Sequence, residues 1–269
     1  MSIAVAMPDR ALAPAAPSVA GLQGKVVIVT GGGRGLGRAI SEGFAEAGAR
    51  VVLTGRTAAT VEAAAAAIVA QGGTAQGIAA DVSREDDVEA LCRAVVARHG
   101  RIDALVNNAG VNPWYKTAED TSLEEWRAVV DTNLTGVFLT ARAAGRVMLA
   151  QGEGAIVNVS SVAGRVGLAR TTAYCAAKGG VELMTRQLAL EWAKRGVRVN
   201  AVGPGYFETE LTEGLRQNPK LAERVTGRTP MGRFGHPREL VGACLFLASP
   251  AASYITGASL AVDGGWTAA

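Results

Sequence analysis

No apolar run in this chain reaches the roughly 18 residues that a membrane-spanning helix needs, so no membrane partner is expected. The three cysteines, Cys92, Cys175 and Cys244, lie far apart, contain no CxxC pair and are odd in number. That excludes a disulfide framework and fits a reducing, cytoplasmic location. Only two histidines occur, His99 and His236. They cannot build a His-rich metal site, and no metal is expected. Basic residues are scattered and the formal net charge is only +3, which argues against a nucleic-acid stripe. Five Phe, four Trp and four Tyr offer no base-stacking platform. The first 20 residues lack a long apolar region after a basic start, and Pro8 and Asp9 interrupt them, unlike a secretory signal. Residues 1–21 are expected to form a flexible tail that joins the fold near Leu22.

What the chain does contain is a regular alternation. Its 269 residues, 49% of them hydrophobic, suffice for a large core. Short apolar runs read as buried strands: KVVIVT (25–30), RVVLTG (50–55), AQGIAAD (75–81), DALVNNAG (103–110), AIVNVSS (155–161), VRVNAVGP (197–204) and SLAVDGG (259–265). Helical patterns separate them at 37–48, 57–73, 84–100, 122–151, 172–195 and 237–249, with short helices expected in 209–231. The 122–151 segment reads as one long helix, with Ser122 and Glu125 in capping-box spacing. Repeated βα units with nearly continuous apolar strands predict a single-domain α/β fold over 22–269. Its architecture is a Rossmann-type doubly wound parallel sheet of about seven strands, with helices on both faces.

TGGGRGLG (30–37) joins the first strand to the first helix. Glycines there permit a tight turn and close approach of a pyrophosphate to helix N-terminal N–H groups. Gly31, Gly33, Gly35 and Gly37 alternate, which departs from the usual GxGxxG pattern. About 20 residues on, an NAD site places a carboxylate for the ribose 2′-hydroxyl. Here no acid lies between Ala47 and Val61; Arg56 follows the second strand and Arg34 sits in the glycine loop. Two guanidinium groups suit a 2′-phosphate. NADP(H) is therefore the expected cofactor, with NAD(H) possible if Arg56 instead stacks on adenine.

These motifs, with DV (81–82), NNAG (107–110), Asn133 in DTNLTG, VSS (159–161), YCAAK (174–178), PGYFETEL (204–211) and VDGG (262–265), resemble the short-chain dehydrogenase/reductase family from about residue 22 onward. The resemblance implies an alcohol/ketone oxidoreductase. It makes Tyr174 the acid/base, Lys178 its charged neighbour and ribose ligand, Ser161 the substrate-oxygen partner, with its neighbour Ser160 the alternative that the family spacing disfavours, and Asn133 the holder of a relay water. It further implies that Gly31, Gly33, Arg34, Gly35, Leu36, Gly37, Arg56, Asp81, Val82, Asn108, Gly110, Tyr174, Lys178, Phe207 and Thr209 bind the cofactor. Asp81 and Val82 would meet the adenine, Asn108 and Gly110 the ribose, and Phe207 and Thr209 the carboxamide. NNAG could equally be a structural turn, and Asn133 a residue that simply kinks its helix.

A free tyrosine has a pKa near 10. Lys178 stands one helical turn from Tyr174 on the same face. An ammonium about 4 Å away contributes about 4 kcal/mol at an effective dielectric of about 20, enough to lower the phenol by up to about three pKa units. The substrate wall is expected from 111–120, 162–171 and 206–231, with Asn112, Trp114 and Tyr115 as candidates. Arg165 and Arg170 read as solvated surface residues, with steering of an anionic substrate the alternative. PGYFETEL is similar to the gluconate 5-dehydrogenase branch, so a sugar acid or polyol is expected. A 3-oxoacyl-carrier-protein reductase is the alternative, and a non-catalytic cofactor-binding regulator is one of another class. The family resemblance also implies a homotetramer built on helices 122–151 and 172–195.

Overall fold

The computed structural model describes residues 19–268. Of the expected tail, residues 1–18 lie outside the described residues; Val19–Leu22 form a 3-10 turn that buries Leu22. Seven strands follow: β1 (Val26–Thr30), β2 (Arg50–Gly55), β3 (Thr74–Ala79), β4 (Ala104–Asn107), β5 (Gly154–Val159), β6 (Val197–Pro204) and β7 (Ser259–Val262). They form one sheet in the order 3-2-1-4-5-6-7, and every pairing is parallel. This is the Rossmann-type arrangement expected from the alternating pattern.

The helices are α1 (Gly35–Glu46), α2 (Ala58–Ala70), α3 (Glu85–His99), α4 (Leu123–Val130), α5 (Gly136–Gln151), α6 (Thr172–Trp192), α7 (Glu213–Arg216), α8 (Pro219–Arg228) and α9 (Val241–Ala248). The sheet divides the core in two. One face packs Ile40, Phe44, Leu53 and Leu247 under α1, α2 and α9. The other packs Leu105, Met148, Ile156 and Trp192 under α3, α5 and α6. Each such buried side chain contributes about 1.5–3 kcal/mol. Strands buried on both faces explain why β1 is apolar at nearly every position.

The segment 122–151 is not one uninterrupted α-helix. A π turn at Asp131–Thr135 separates α4 from α5, and the Gly136 N–H reaches back to the Asp131 carbonyl. The extra residue turns Asn133 fully inward. The expected capping box at Ser122 and Glu125 is present.

Beneath the carboxyl edge of the sheet runs a buried polar chain. Thr140 donates to Asn107 Oδ1 at 2.6 Å, Asn107 donates to Asn158 Oδ1 at 2.9 Å, and Asn158 donates to the Thr185 hydroxyl at 2.9 Å. It joins α5, β4, β5 and α6. Each link pairs groups that would be costly to bury alone. A smaller cluster, made of Val162, Val225, Phe234 and Trp266 with Tyr206 against it, joins the segment after β6 to the turn after β5.

Candidate active site

The order of the sheet reverses between β1 and β4, and ligands of open α/β sheets bind outside the strand ends at such a point. There a cleft of about 720 Å³ opens over the carboxyl edge. Its lining brings together nearly every residue singled out from sequence. Gly31, Gly33, Arg34, Gly35, Leu36, Gly37 and Arg56 form one end. Asp81, Val82, Asn108 and Gly110 form the middle, and Ser161, Tyr174, Lys178, Phe207 and Thr209 the other end. Asn133 is buried behind Gly110, where a Cβ would stand 3.3 Å from Asn133 Oδ1 and 3.7 Å from Lys178 Nζ. Thr57 and Thr60 also line the cleft; sequence reading passed over them.

The glycine loop is shaped by close approach. Gly31 has φ +63, which favours glycine. A Cβ on Gly37 would stand 2.1 Å from the Gly31 carbonyl oxygen, so the first turn of α1 can lie against the loop only without a side chain. Asn108 braces this turn: its amide donates to the carbonyls of Thr30 at 2.9 Å and Gly31 at 3.2 Å. The structural-turn alternative for NNAG thus accounts for the Asn108 side chain. The Asp81 carboxylate is likewise engaged locally, accepting from the Ser83 N–H and hydroxyl.

Asn133 pairs with the Val111 backbone in both directions at 2.8 Å. Its amide thereby pins the loop after β4 over the floor of the cleft. Ser161 and not Ser160 faces the tyrosine: the Ser160 hydroxyl turns to the Lys178 carbonyl at 3.4 Å, while Ser161 lowers the pKa of Tyr174 through a side-chain hydrogen bond.

Two electrostatic expectations change. Burial pushes Tyr174 up to about 12, against the pull of Ser161. Burial also pushes Lys178 down to about 8, partly opposed by Glu182. Lys178 Nζ lies 5.8 Å from the centroid of the tyrosine ring and donates to the Val159 carbonyl at 2.7 Å. The expected three-unit lowering of the phenol by Lys178 is therefore absent from this arrangement: burial dominates, and the pull against it comes from Ser161. Tyr174 itself keeps intermediate exposure toward the cleft, so what fills the cleft decides how much of that push remains. The second change concerns Arg34, which reaches Glu210 across the mouth of the cleft at 2.9 Å and is not a free guanidinium.

On the wall, Asn112 is buried and Tyr115 is half exposed. Tyr115 and Tyr206 lie close enough to act electrostatically on Tyr174. Tyr206 packs on Trp266 with ring centroids 4.8 Å apart; sequence reading had not singled it out. Arg165 is an exposed surface residue, as expected, but it is tied to the β7 edge, where its Nη2 donates to the Ser259 carbonyl and hydroxyl.

The family model described as Enoyl-(Acyl carrier protein) reductase matches residues 31–267. The chain belongs to the short-chain dehydrogenase/reductase family. This makes it an alcohol/ketone oxidoreductase. It is 46% identical over 251 residues to the galactitol 2-dehydrogenase (L-tagatose-forming) of Cereibacter sphaeroides, covering 91% of this chain and 96% of that one. It is 42% identical to a 3-oxoacyl-[acyl-carrier-protein] reductase of Synechocystis sp., covering 91% and 97%. A solved gluconate 5-dehydrogenase from Burkholderia cenocepacia, in complex with NADP and tartrate, superposes with a TM-score of 0.90 at 37% identity, covering 93% and 99%.

This short-chain dehydrogenase/reductase has a site whose residues fit a dinucleotide. The positive-φ Gly31 and the side-chain-free face of Gly37 leave a cradle for phosphates at the α1 N-terminus. Arg56, exposed beyond β2, stands where a carboxylate would repel a 2′-phosphate.

Proposed function

We propose that this chain is an NADP(H)-dependent oxidoreductase that interconverts a secondary alcohol and a ketone on a polyol or sugar acid. The observation that carries the reading is the meeting of Ser161, Tyr174 and Lys178 at one end of a cleft whose other end is the glycine loop. Nicotinamide held in the cleft would supply or accept the hydride and, when oxidised, would add positive charge there. Ser161 orients the substrate oxygen by hydrogen bonding. Tyr174 gives that oxygen a proton during reduction and takes one during oxidation. Lys178 would hold ribose hydroxyls and keep a positive charge at the floor of the cleft beside the phenol. Asn133 fixes the loop that covers the floor, and a water held beside it relays protons from Lys178 to solvent. The hydroxyls of Tyr115 and Tyr206 and the amide of Asn112 supply the polar wall that a polyhydroxylated substrate needs.

The reading places the protein in the cytoplasm, where its three free cysteines stay reduced. It also assembles the chain as a homotetramer. Supporting that state, Leu123, Phe138, Leu183 and Leu190 expose large apolar side chains on α4, α5 and α6, and Tyr254 and Leu260 do so near the β7 edge.

A panel of polyols, sugar acids and 3-oxoacyl thioesters, followed by nicotinamide absorbance with NADPH/NADP and NADH/NAD, tests the function. Turnover of a polyol or sugar acid with the phosphorylated cofactor is expected; turnover confined to the thioesters overturns the substrate class. Tyr174→Phe should keep NADPH binding and lose about 10²–10⁴-fold in kcat. A fully active variant refutes the role of Tyr174.

A further inference from the structure

Glu182 lies four residues beyond Lys178 on α6, one turn along the same helical face. It is only 5% exposed, a position a carboxylate rarely takes without partners. Oε1 accepts from the Ser259 hydroxyl at 2.9 Å and faces Arg165 Nε at 3.9 Å. Oε2 has no hydrogen-bond partner among the described residues. Arg165 meanwhile spends its Nη2 on Ser259, so the charge of Glu182 is only partly met on the β7 side.

On its other side stands a complementary deficit. Lys178 is 3% exposed, and its ammonium donates to one neutral acceptor, the Val159 carbonyl. Gly164 lets the two residues share one packed corner: a Cβ there would stand 2.9 Å from the Lys178 carbonyl and 3.0 Å from Glu182 Cγ. Between groups so dry, a charge one turn away acts with little screening.

We propose that Glu182 is a positioning residue that keeps the Lys178 ammonium charged at the floor of the active site. The inference rests on the role given to Lys178 above. The other groups around the pair are few. Tyr174 precedes Lys178 on α6, and Arg186 follows Glu182 by a turn. Arg165 comes from the turn after β5, and Asp263, beyond β7, faces Arg165. Asn133, behind Gly110, is uncharged. Glu182 is thus the acid that opposes the effect of burial on Lys178, and Arg165 is the cation that weakens it.

The test follows the Nζ of Lys178 by NMR in full-length protein labelled with 15N-lysine, assigned by its loss in Lys178→Met, together with the alkaline limb of the pH profile of ketone reduction. Glu182→Gln should move the Lys178 titration down by about one pH unit, and the alkaline limb with it. Glu182→Asp should restore most of the shift. Arg165→Met should move both upward, a reversal that mere loosening of the structure would not produce. Unchanged titrations, or shifts of the same sign in Glu182→Gln and Arg165→Met, overturn the proposal. If Glu182→Gln does not fold, Arg165→Met decides alone. An NMR shift with an unmoved rate profile upholds the action of Glu182 and refutes instead the catalytic role of Lys178.

Discussion

Replacing Lys178 by methionine should stabilise the protein at neutral pH while destroying its activity. The ammonium is almost fully buried and burial depresses its pKa from 10.5 to about 8. The folded chain therefore releases this proton near pH 8, whereas the unfolded chain holds it to about 10.4. Between those values the unfolded state binds more protons, so stability rises with pH across the window. The interval of about 2.5 between the two values corresponds to about 3 kcal/mol at 1.36 kcal/mol per unit. At pH 7 the wild type carries the whole of that cost. Methionine keeps the stem without the charge but leaves the Val159 carbonyl short of one donor, a loss of about 1 kcal/mol. A net gain of about 2 kcal/mol at pH 7 is expected, falling to nothing or below as pH nears 10. Tyr174, pushed up to about 12, acts with the opposite sign above pH 10 and in both proteins, so it largely cancels in the difference. The assay is urea unfolding followed by tryptophan fluorescence, without cofactor and at fixed protomer concentration, from pH 7 to 10. A variant no more stable than wild type at pH 7, or a gap that does not narrow by pH 9.5, refutes the reasoning.

Three further outcomes are expected. Glu210→Gln frees Arg34 from an exposed pair at 2.9 Å, worth at most about 1 kcal/mol. NADPH should then bind up to about fivefold more tightly in a fluorescence titration, with NADH unchanged; an equal gain for both would show that Arg34 does not read the 2′-phosphate. Gly37→Ala places a methyl group 2.1 Å from the Gly31 carbonyl oxygen and should abolish NADPH binding by the same titration; an affinity within about twofold of wild type would contradict the close approach. Asp103→Ala acts at the opposite edge of the sheet. There burial pushes the carboxyl up, but Arg101, the Val26 N–H and Lys25 hold it below its usual value. Its contribution is present above the unfolded value near 3.9 and is lost as pH falls through the lower folded one. At pH 7 the variant should lose about 2 kcal/mol in urea unfolding and keep its NADPH affinity; a change in affinity instead of stability would refute that separation.

The strands were legible because burial on both faces writes them as short apolar runs, and β6 occupies the whole of its expected span, 197–204. The glycine loop, Ser161, Tyr174 and Lys178 were legible because their motifs are local. What escaped was relational. The π turn around Asn133 leaves no mark in an amphipathic pattern. Arg34 and Glu210 are 176 positions apart, so nothing near either announces their pairing. Arg165 is the surface charge expected, but its partners on β7 and α6 come together only in the fold. The pKa of Tyr174 was misjudged for a similar reason: spacing predicted the neighbouring ammonium, but not how dry the pair becomes.

The polar chain through Thr140, Asn107, Asn158 and Thr185 anchors the helices that carry Asn133, Tyr174 and Lys178. Tyr206, Ala222 and Val225, after β6, pack with Phe234 and Trp266 in a small cluster that Val162, next to Ser161, also joins. The segment after β6 therefore leans directly on the turn that carries Ser161. Repacking around Trp266 would thus be felt at the catalytic serine as well as along the outer rim of the cleft.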